Sequence, residues 1–502
     1  MTVLLDGESL NIETLYRISD KREKLDIAPS ALLKVRNSRK TLERISESGR
    51  NIYGVNTGFG SLLNQKIEPA DRIKLQVNLL RSHSSGIGAP LAETTVRSIM
   101  AIRLNSLIKG FSGVTDGLVL AIRDAINAGF YPFVPQFGSV GASGDLAPLS
   151  HIGLALTGEG EAFHNGSRRP ASEVLKVLGL APYRLREKEG VSFINGTSVI
   201  SGILAVNLHE SYRIFRNSLI SACISLEALR ATKRAFTSWA IEARNQPGQA
   251  IVAREITNII GNSKNLQKPT EEKIQDAYSI RCIPQVYGAV LDTINYCRDV
   301  LEREINSVTD NPLINGEEYV SVGNFHGEPV ALVSDFCAIA LTDLGNMIER
   351  RLARLTDTSL SDLPPFLTEN SGLNSGYMIP QYAAAALCNR NKTLCSPSSS
   401  DSIPTCANQE DHVSMGTNAA IKLSEIVENL DTLVAMETLL AAQGTVFLKT
   451  EMSDAVKEFI MNYRKSVPVL GEDRPPYIDI EKTKSFLSKY PPSFISLVKS
   501  AD

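Results

Sequence analysis

The stretch Leu341-Thr342-Asp343-Leu344-Gly345-Asn346-Met347-Ile348-Glu349-Arg350-Arg351-Leu352-Ala353-Arg354-Leu355 decides the fold class. Leu341, Leu344, Ile348, Leu352 and Leu355 recur at spacings of three and four, the period of one face of an α-helix. Two more stretches read the same way. Val286, Val290, Ile294, Cys297, Leu301 and Ile305 mark one face, and Leu423, Ile426, Val427, Leu430, Leu433, Val434 and Leu440 mark another. Each exceeds an ordinary helix of about 11–12 residues. Several long helices in one chain predict a mainly α protein built on a helical bundle. An apolar run from Pro329 to Leu341 precedes the first stretch, and helices apolar on more than one side need more than one neighbour. We therefore expect an oligomer.

Outward from these helices the character changes. Upstream of Thr197 the chain mixes short apolar runs with turns; Val96, Ile99, Met100, Leu104 and Leu107 predict a helix stopped near Gly110. A region rich in Gly and Pro follows, from Phe111 to Gly160. The expected organisation is an N-terminal domain over 1–196, a central long-helix bundle over 197–450 and a C-terminal helical tail over 451–502. Polar loops at Ser371–Gly376 and Ser396–Glu410 interrupt the helices.

The 502 residues carry 52 Lys+Arg against 55 Asp+Glu, a net charge of −3, so no basic excess points to nucleic acid. Seven scattered cysteines without a C-x-x-C pair fit neither a disulfide framework nor a zinc ribbon. The N-terminus has no signal-peptide pattern. These features predict a soluble cytoplasmic protein. The six histidines stand far apart in sequence without metal-ligand spacing, so no metal is expected.

Chemistry concentrates in Gly141-Ala142-Ser143-Gly144-Asp145. A glycine nitrogen, with no Cβ beside it, can approach a carbonyl carbon closely. Attack by the Gly144 nitrogen on the Ala142 carbonyl would close a five-membered ring. Loss of water from Ser143 would then leave an exocyclic methylene, a strong electrophile. Read alone, three small residues are more often a simple turn.

The wider stretch Gly138-Ser139-Val140-Gly141-Ala142-Ser143-Gly144-Asp145-Leu146-Ala147-Pro148-Leu149-Ser150-His151 resembles the signature of the aromatic amino acid ammonia-lyase family. Tyr53-Gly54-Val55-Asn56-Thr57-Gly58-Phe59-Gly60, Asn195-Gly196-Thr197, Tyr278-Ser279-Ile280-Arg281-Cys282, Thr309-Asp310-Asn311-Pro312 and Gly323-Asn324-Phe325-His326 are similar to further family blocks, in family order. Ala407-Asn408-Gln409-Glu410-Asp411-His412, Ser82-His83 and Gly372-Leu373-Asn374-Ser375-Gly376-Tyr377-Met378-Ile379 resemble the histidine-type branch.

The resemblance implies a fumarase/aspartase-like architecture: a long central bundle with a smaller N-terminal part carrying the prosthetic-group loop. It implies a 4-methylidene-imidazol-5-one formed autocatalytically from Ala142, Ser143 and Gly144, with no external cofactor. It further implies Tyr53 as base, with Tyr278 and Glu410 beside it in catalysis. His83, Asn195, Gln275, Arg281, Asn311, Phe325 and Met378 are implied to surround the substrate. The implied reaction eliminates ammonia from L-histidine to give trans-urocanate, in a homotetramer whose active sites combine several subunits. A tyrosine ammonia-lyase, a related aminomutase and an inactive helical scaffold are the alternatives. The chemistry supports the assignments: guanidinium offers a planar fork to a carboxylate, and a carboxylate accepts an imidazole N–H that a phenyl ring lacks.

Overall fold

The computed structural model describes residues 2–47, 54–58, 60–62, 64–266 and 274–490. Within them the chain forms 19 α-helices and only short strands, as the helical periodicity predicts. Seven helices matter here: α1 (Arg72–His83), α2 (Glu93–Leu107), α3 (Leu146–Leu156), α4 (Ser198–Ala228), α5 (Ile283–Glu304), α6 (Glu328–Thr356) and α7 (Gly416–Gly444). Contacts divide the chain into two compact units, each assembled from three stretches. One comprises Met1–His209, Cys297–Asp335 and Pro397–Lys422; the other comprises Glu210–Tyr296, Phe336–Ser396 and Leu423–Asp502.

The first unit is organised on α2. Every residue from Thr95 to Leu107 is buried, including Arg97, Arg103 and Asn105. Such charges are tolerated only when paired or hydrogen-bonded. Arg97 donates to the Ile126 and Ile18 carbonyls, and Arg103 donates to the Ser192 carbonyl and to Thr309. Short sheets edge this unit. Strand Tyr131–Pro132 pairs antiparallel with Glu161–His164, which pairs with Ser167–Pro170; Ile87–Pro90 pairs with Pro135–Phe137. The last pairing delivers the chain into the glycine-rich loop at 138.

The second unit is a bundle of parts of α4, α5, α6 and α7. Leu219, Ile224, Leu291, Ile294, Leu344, Ile348, Leu352, Leu433 and Val434 are wholly buried. Each such side chain contributes about 1.5–3 kcal/mol. Gly345 lets α6 approach α7, since a Cβ there would stand 3.1 Å from Leu433 Cδ1. At the centre Arg351 of α6 pairs with Glu437 of α7, 2.5 Å from Nε to Oε1, and donates to the Tyr287 hydroxyl of α5; Ser225 of α4 donates to the same carboxylate at 2.8 Å. Four helices thus share one buried ionic network. Burial, with Glu437 nearby, pushes the Tyr287 phenol up to about 12.

The apolar stripes expected to meet other subunits are in large part covered by the chain's own helices. Leu341, Leu344, Ile348, Leu352 and Leu355 are all 0% exposed. A second stripe on α6 is not covered: Leu332, Phe336 and Ile339 are exposed at helical spacing. By length and composition α6 could cross a membrane, but 61% of its most apolar window is buried inside the chain, as in a core helix.

Candidate active site

The Ala142-Ser143-Gly144 segment sits between the end of strand 135–137 and α3, in the first unit. Gly141 has φ +67° and Gly144 has φ +71°, the left-handed region that glycine adopts without strain. Gly144 pairs with Gly196, and the Asp145 N–H donates to the Gly196 carbonyl at 2.8 Å. A Cβ on Gly144 would overlap the Gly196 oxygen and stand 2.5 Å from its nitrogen. Only a glycine fits there.

Asp145 precedes α3 but does not cap it. Its fully buried carboxylate accepts the Val199 and Ile200 N–H groups of α4, both at 2.9 Å, and the hydroxyls of Ser139 and Thr417, both at 2.7 Å. A carboxylate there satisfies donors that have no partner within their own helix. Burial raises its pKa despite the four bonds. The carboxylate therefore ties the loop, α4 and α7's first turn together. Ala142 packs with Val413 and Met415 under Val140.

A cavity of about 570 Å³ opens beside this loop. His83, Ser143, Asn195 and Glu410 face it, with Leu79 and Leu146 among its apolar walls. The Ser143 hydroxyl donates to Glu410 Oε1 at 2.6 Å, and the Thr405 hydroxyl donates to Glu410 Oε2 at 2.6 Å. His83 Nδ1 lies 2.9 Å from the Ser82 hydroxyl. Burial holds the His83 imidazole below its ordinary pKa, against the attraction of Glu410. Asn195 closes a short helix, Glu189–Ile194, and its Oδ1 is buried without a hydrogen-bond partner.

Glu410 ends the polar loop expected from Ser396, but the backbone that presents it is not revealed by sequence patterns. Cys406, Ala407 and Asn408 have φ of +50°, +53° and +66°, three consecutive left-handed residues without a glycine. Such backbone costs free energy and persists only where surroundings impose it. Thr405 and Glu410 close the turn by exchanging backbone hydrogen bonds of 2.9 and 3.3 Å.

Of the other expected site residues, Asn311 and Phe325 lie in the first unit. Asn311 is buried and its Oδ1 accepts the Val322 N–H at 2.7 Å, while Phe325 is half-buried. Gln275, Tyr278, Arg281 and Met378 belong to the second unit. There Gln275 and Tyr278 are exposed and Met378 is half-buried. The Arg281 guanidinium lies over the Tyr278 ring at 4.4 Å, with Nε buried and unpartnered. Tyr53 lies outside the described residues.

Two features escaped the sequence reading. Gln76 of α1 is wholly buried; its amide donates to the Gly54 carbonyl at 3.0 Å, and its Oε1 accepts the Val191 N–H at 3.2 Å. It thereby joins the segment after Tyr53 to the helix that ends at Asn195. A glutamine set between Leu75 and Val77 is its only signal in the sequence, and burial is not visible there. Second, the histidines are not all apart in space. His326 and His412, 86 positions apart, stack with centroids 5.5 Å apart.

A glycine-locked loop, a serine held by a carboxylate and an orphaned amide oxygen converge on one cavity. The chain belongs to the aromatic amino acid lyase family, whose sequence profile matches residues 10–465. Among curated relatives, it is 55% identical to the probable histidine ammonia-lyase of Thermoplasma volcanium, over 97% of this chain and 98% of that one. Among solved structures, histidine ammonia-lyase from Trypanosoma cruzi superposes with a TM-score of 0.91 at 39% identity, over 97% of this chain and 93% of that one. Tyrosine aminomutase from Streptomyces globisporus gives 0.94 at 35% identity, over 98% of each chain.

Proposed function

We propose that this chain is a carbon–nitrogen lyase of the ammonia-lyase type that converts L-histidine to trans-urocanate and ammonia, the first step of histidine degradation. The observation that carries the substrate is Glu410, a carboxylate held in the cavity beside Ser143 and His83. A carboxylate accepts an imidazole N–H and gains from a charged ring. A phenyl ring would leave it poorly solvated.

The loop suits a methylidene-imidazolone formed from Ala142, Ser143 and Gly144. Gly144 has no room for a side chain, Ala142 is buried, and the Asn195 oxygen awaits a donor. When present, that group supplies an electrophile that takes the substrate amine and makes it easier to expel. Its formation removes the Ser143 hydroxyl and so frees Glu410 Oε1 of one hydrogen bond. The carboxylate can then turn that oxygen toward substrate, while Thr405 keeps Oε2 in place.

The remaining roles are those the family resemblance implies, and residue chemistry is compatible with them. Tyr53 removes the β-proton; a phenol of pKa about 10 needs its site to tune it. Arg281 takes the substrate carboxylate as a bidentate fork. Asn195, Gln275, Tyr278 and Asn311 supply neutral hydrogen bonds, His83 and Glu410 face the imidazole, and Phe325 and Met378 wall the site. Support for a homotetramer with shared sites comes from the exposed Leu332, Phe336 and Ile339 stripe, and from Tyr278, exposed despite its expected catalytic place. A cytoplasmic location accords with small-molecule metabolism.

Intact mass spectrometry tests the group: the active protein should weigh two waters less than its sequence, and Ser143→Ala should restore the full mass and abolish most activity. Urocanate absorbance with L-histidine, set beside L-tyrosine and L-phenylalanine turnover, tests the substrate. Full mass in an active enzyme, or preference for tyrosine, overturns the corresponding assignment.

A further inference from the structure

We infer that His326, Glu328 and His412 form a binding site for one divalent transition-metal ion, zinc being the test case. His326 and Glu328 bracket the start of α6, and His412 lies in the loop between Glu410 and α7, all within the first unit. One ligand atom from each falls within 4.8 Å of the other two. His412 Nδ1 and His326 Nε2 stand 3.4 Å apart. Two nitrogens bound to a single tetrahedral zinc at about 2.0–2.1 Å would stand about 3.3–3.4 Å apart. The two rings are thus already at chelating distance.

The carboxylate supplies an independent reason. Glu328 Oε2 is buried and has no hydrogen-bond partner. An unpartnered buried carboxylate oxygen is costly, and a cation relieves it directly. The start of α6 also favours negative charge at this residue. Two imidazoles and one carboxylate suit zinc, cobalt, nickel or copper better than magnesium or calcium.

The second nitrogen of His326 sets a constraint. Its Nδ1 accepts the Glu328 N–H at 3.3 Å, so without an ion the ring proton sits on Nε2. Coordination through Nε2 moves that proton to Nδ1 and gives up this long contact. His412 is exposed, so its ring can turn onto the ion, and three protein ligands leave a fourth position for water. His326 follows Phe325, and His412 lies two residues after Glu410. An occupied site would pin the strained 406–408 turn to the start of α6. The ion would act as a clamp on residues that shape the cavity, without itself touching substrate.

The test uses full-length protein stripped with chelator and titrated with Zn²⁺ by calorimetry, and with Co²⁺ by absorption spectroscopy. The expected result is one ion per chain, with visible bands of four-coordinate Co²⁺ and no thiolate charge-transfer band. His412→Gln, at an exposed position that should not disturb folding, and Glu328→Gln should each weaken Zn²⁺ binding by at least about 100-fold, given that even outer partners of a metal ligand are worth about 10–100-fold. Absence of saturable binding overturns the site. So does unchanged affinity in both variants, or a thiolate band, which would assign the ion to a cysteine such as Cys406. These readouts do not depend on the substrate assignment.

Discussion

Replacing Glu410 by glutamine separates charge from shape at the centre of the cavity. The carboxylate accepts one hydroxyl on each oxygen, from Ser143 and Thr405, at 2.6 Å. Gln keeps one acceptor oxygen, and in the matured protein, which lacks the Ser143 hydroxyl, its oxygen or its amide can still bond the Thr405 hydroxyl, since a hydroxyl both donates and accepts. The loop should therefore keep its turn. What is lost is a charge-assisted bond to the substrate ring, about 1.5–3 kcal/mol in place of about 1 for a neutral one. At 1.36 kcal/mol per tenfold in rate, that difference of about 0.5–2 kcal/mol lowers kcat/KM for histidine by about 2- to 30-fold. Tyrosine or phenylalanine never gained from the charge, so their turnover should fall less or rise slightly. The assay is kcat/KM for each amino acid from product absorbance, on Glu410→Gln protein whose mass still shows the loss of two waters. A histidine-to-tyrosine ratio equal to that of the unsubstituted protein would refute the reasoning.

Three further outcomes are expected. Tyr53→Phe keeps the ring and removes the ionisable hydroxyl, so a fully matured variant should turn over about 10²–10⁴-fold more slowly; near-normal turnover reassigns the base. Glu437→Ala leaves the Arg351 guanidinium buried without its carboxylate, and unfolding free energy from denaturant titration should drop by about 3–5 kcal/mol; a loss below about 1 kcal/mol would show that the four-helix network contributes little. Because burial lowers the His83 pKa, the folded state prefers the neutral ring. That contribution is complete above the unfolded value of about 6.5 and is lost as pH falls through the folded value. Denaturation midpoints should therefore decline between about pH 7 and pH 5, and His83→Gln should flatten the decline; an identical slope in both proteins counts against it.

Much of the site was legible in residue order because its chemistry is local. Ala142, Ser143 and Gly144 are adjacent, and a five-membered ring needs only neighbours. Asn195-Gly196 and the Glu410 segment could be recognised as blocks, but nothing in them shows that Gly196 leaves no room for a Cβ on Gly144. Nor does a turn signal mark Cys406 and Ala407; of the three left-handed residues only Asn408 is of a type that tolerates that backbone readily. The Thr405–Glu410 pairing closes that turn locally, whereas the Ser143 hydroxyl on Glu410 arrives from far along the chain and is a tertiary fact.

The sequence by itself determined the helices, because a 3.6-residue period is written into every apolar stripe from Val286 to Leu440. It marked Ala142-Ser143-Gly144 as the loop proposed to make its own electrophile, because ring closure needs only adjacent residues. Only the tertiary structure decided which stripe is core and which stays exposed: Leu341 to Leu355 are covered, while Leu332, Phe336 and Ile339 on the same helix are not. It decided that Asp145 caps α4 rather than the helix it precedes, and that Arg351 and Glu437 meet among four helices. It also brought His326 and His412 together across 86 positions. Periodicity specifies a face but not the partner of that face. Partners are chosen by the path of the whole backbone, where burying apolar surface and satisfying each buried polar group must be achieved together.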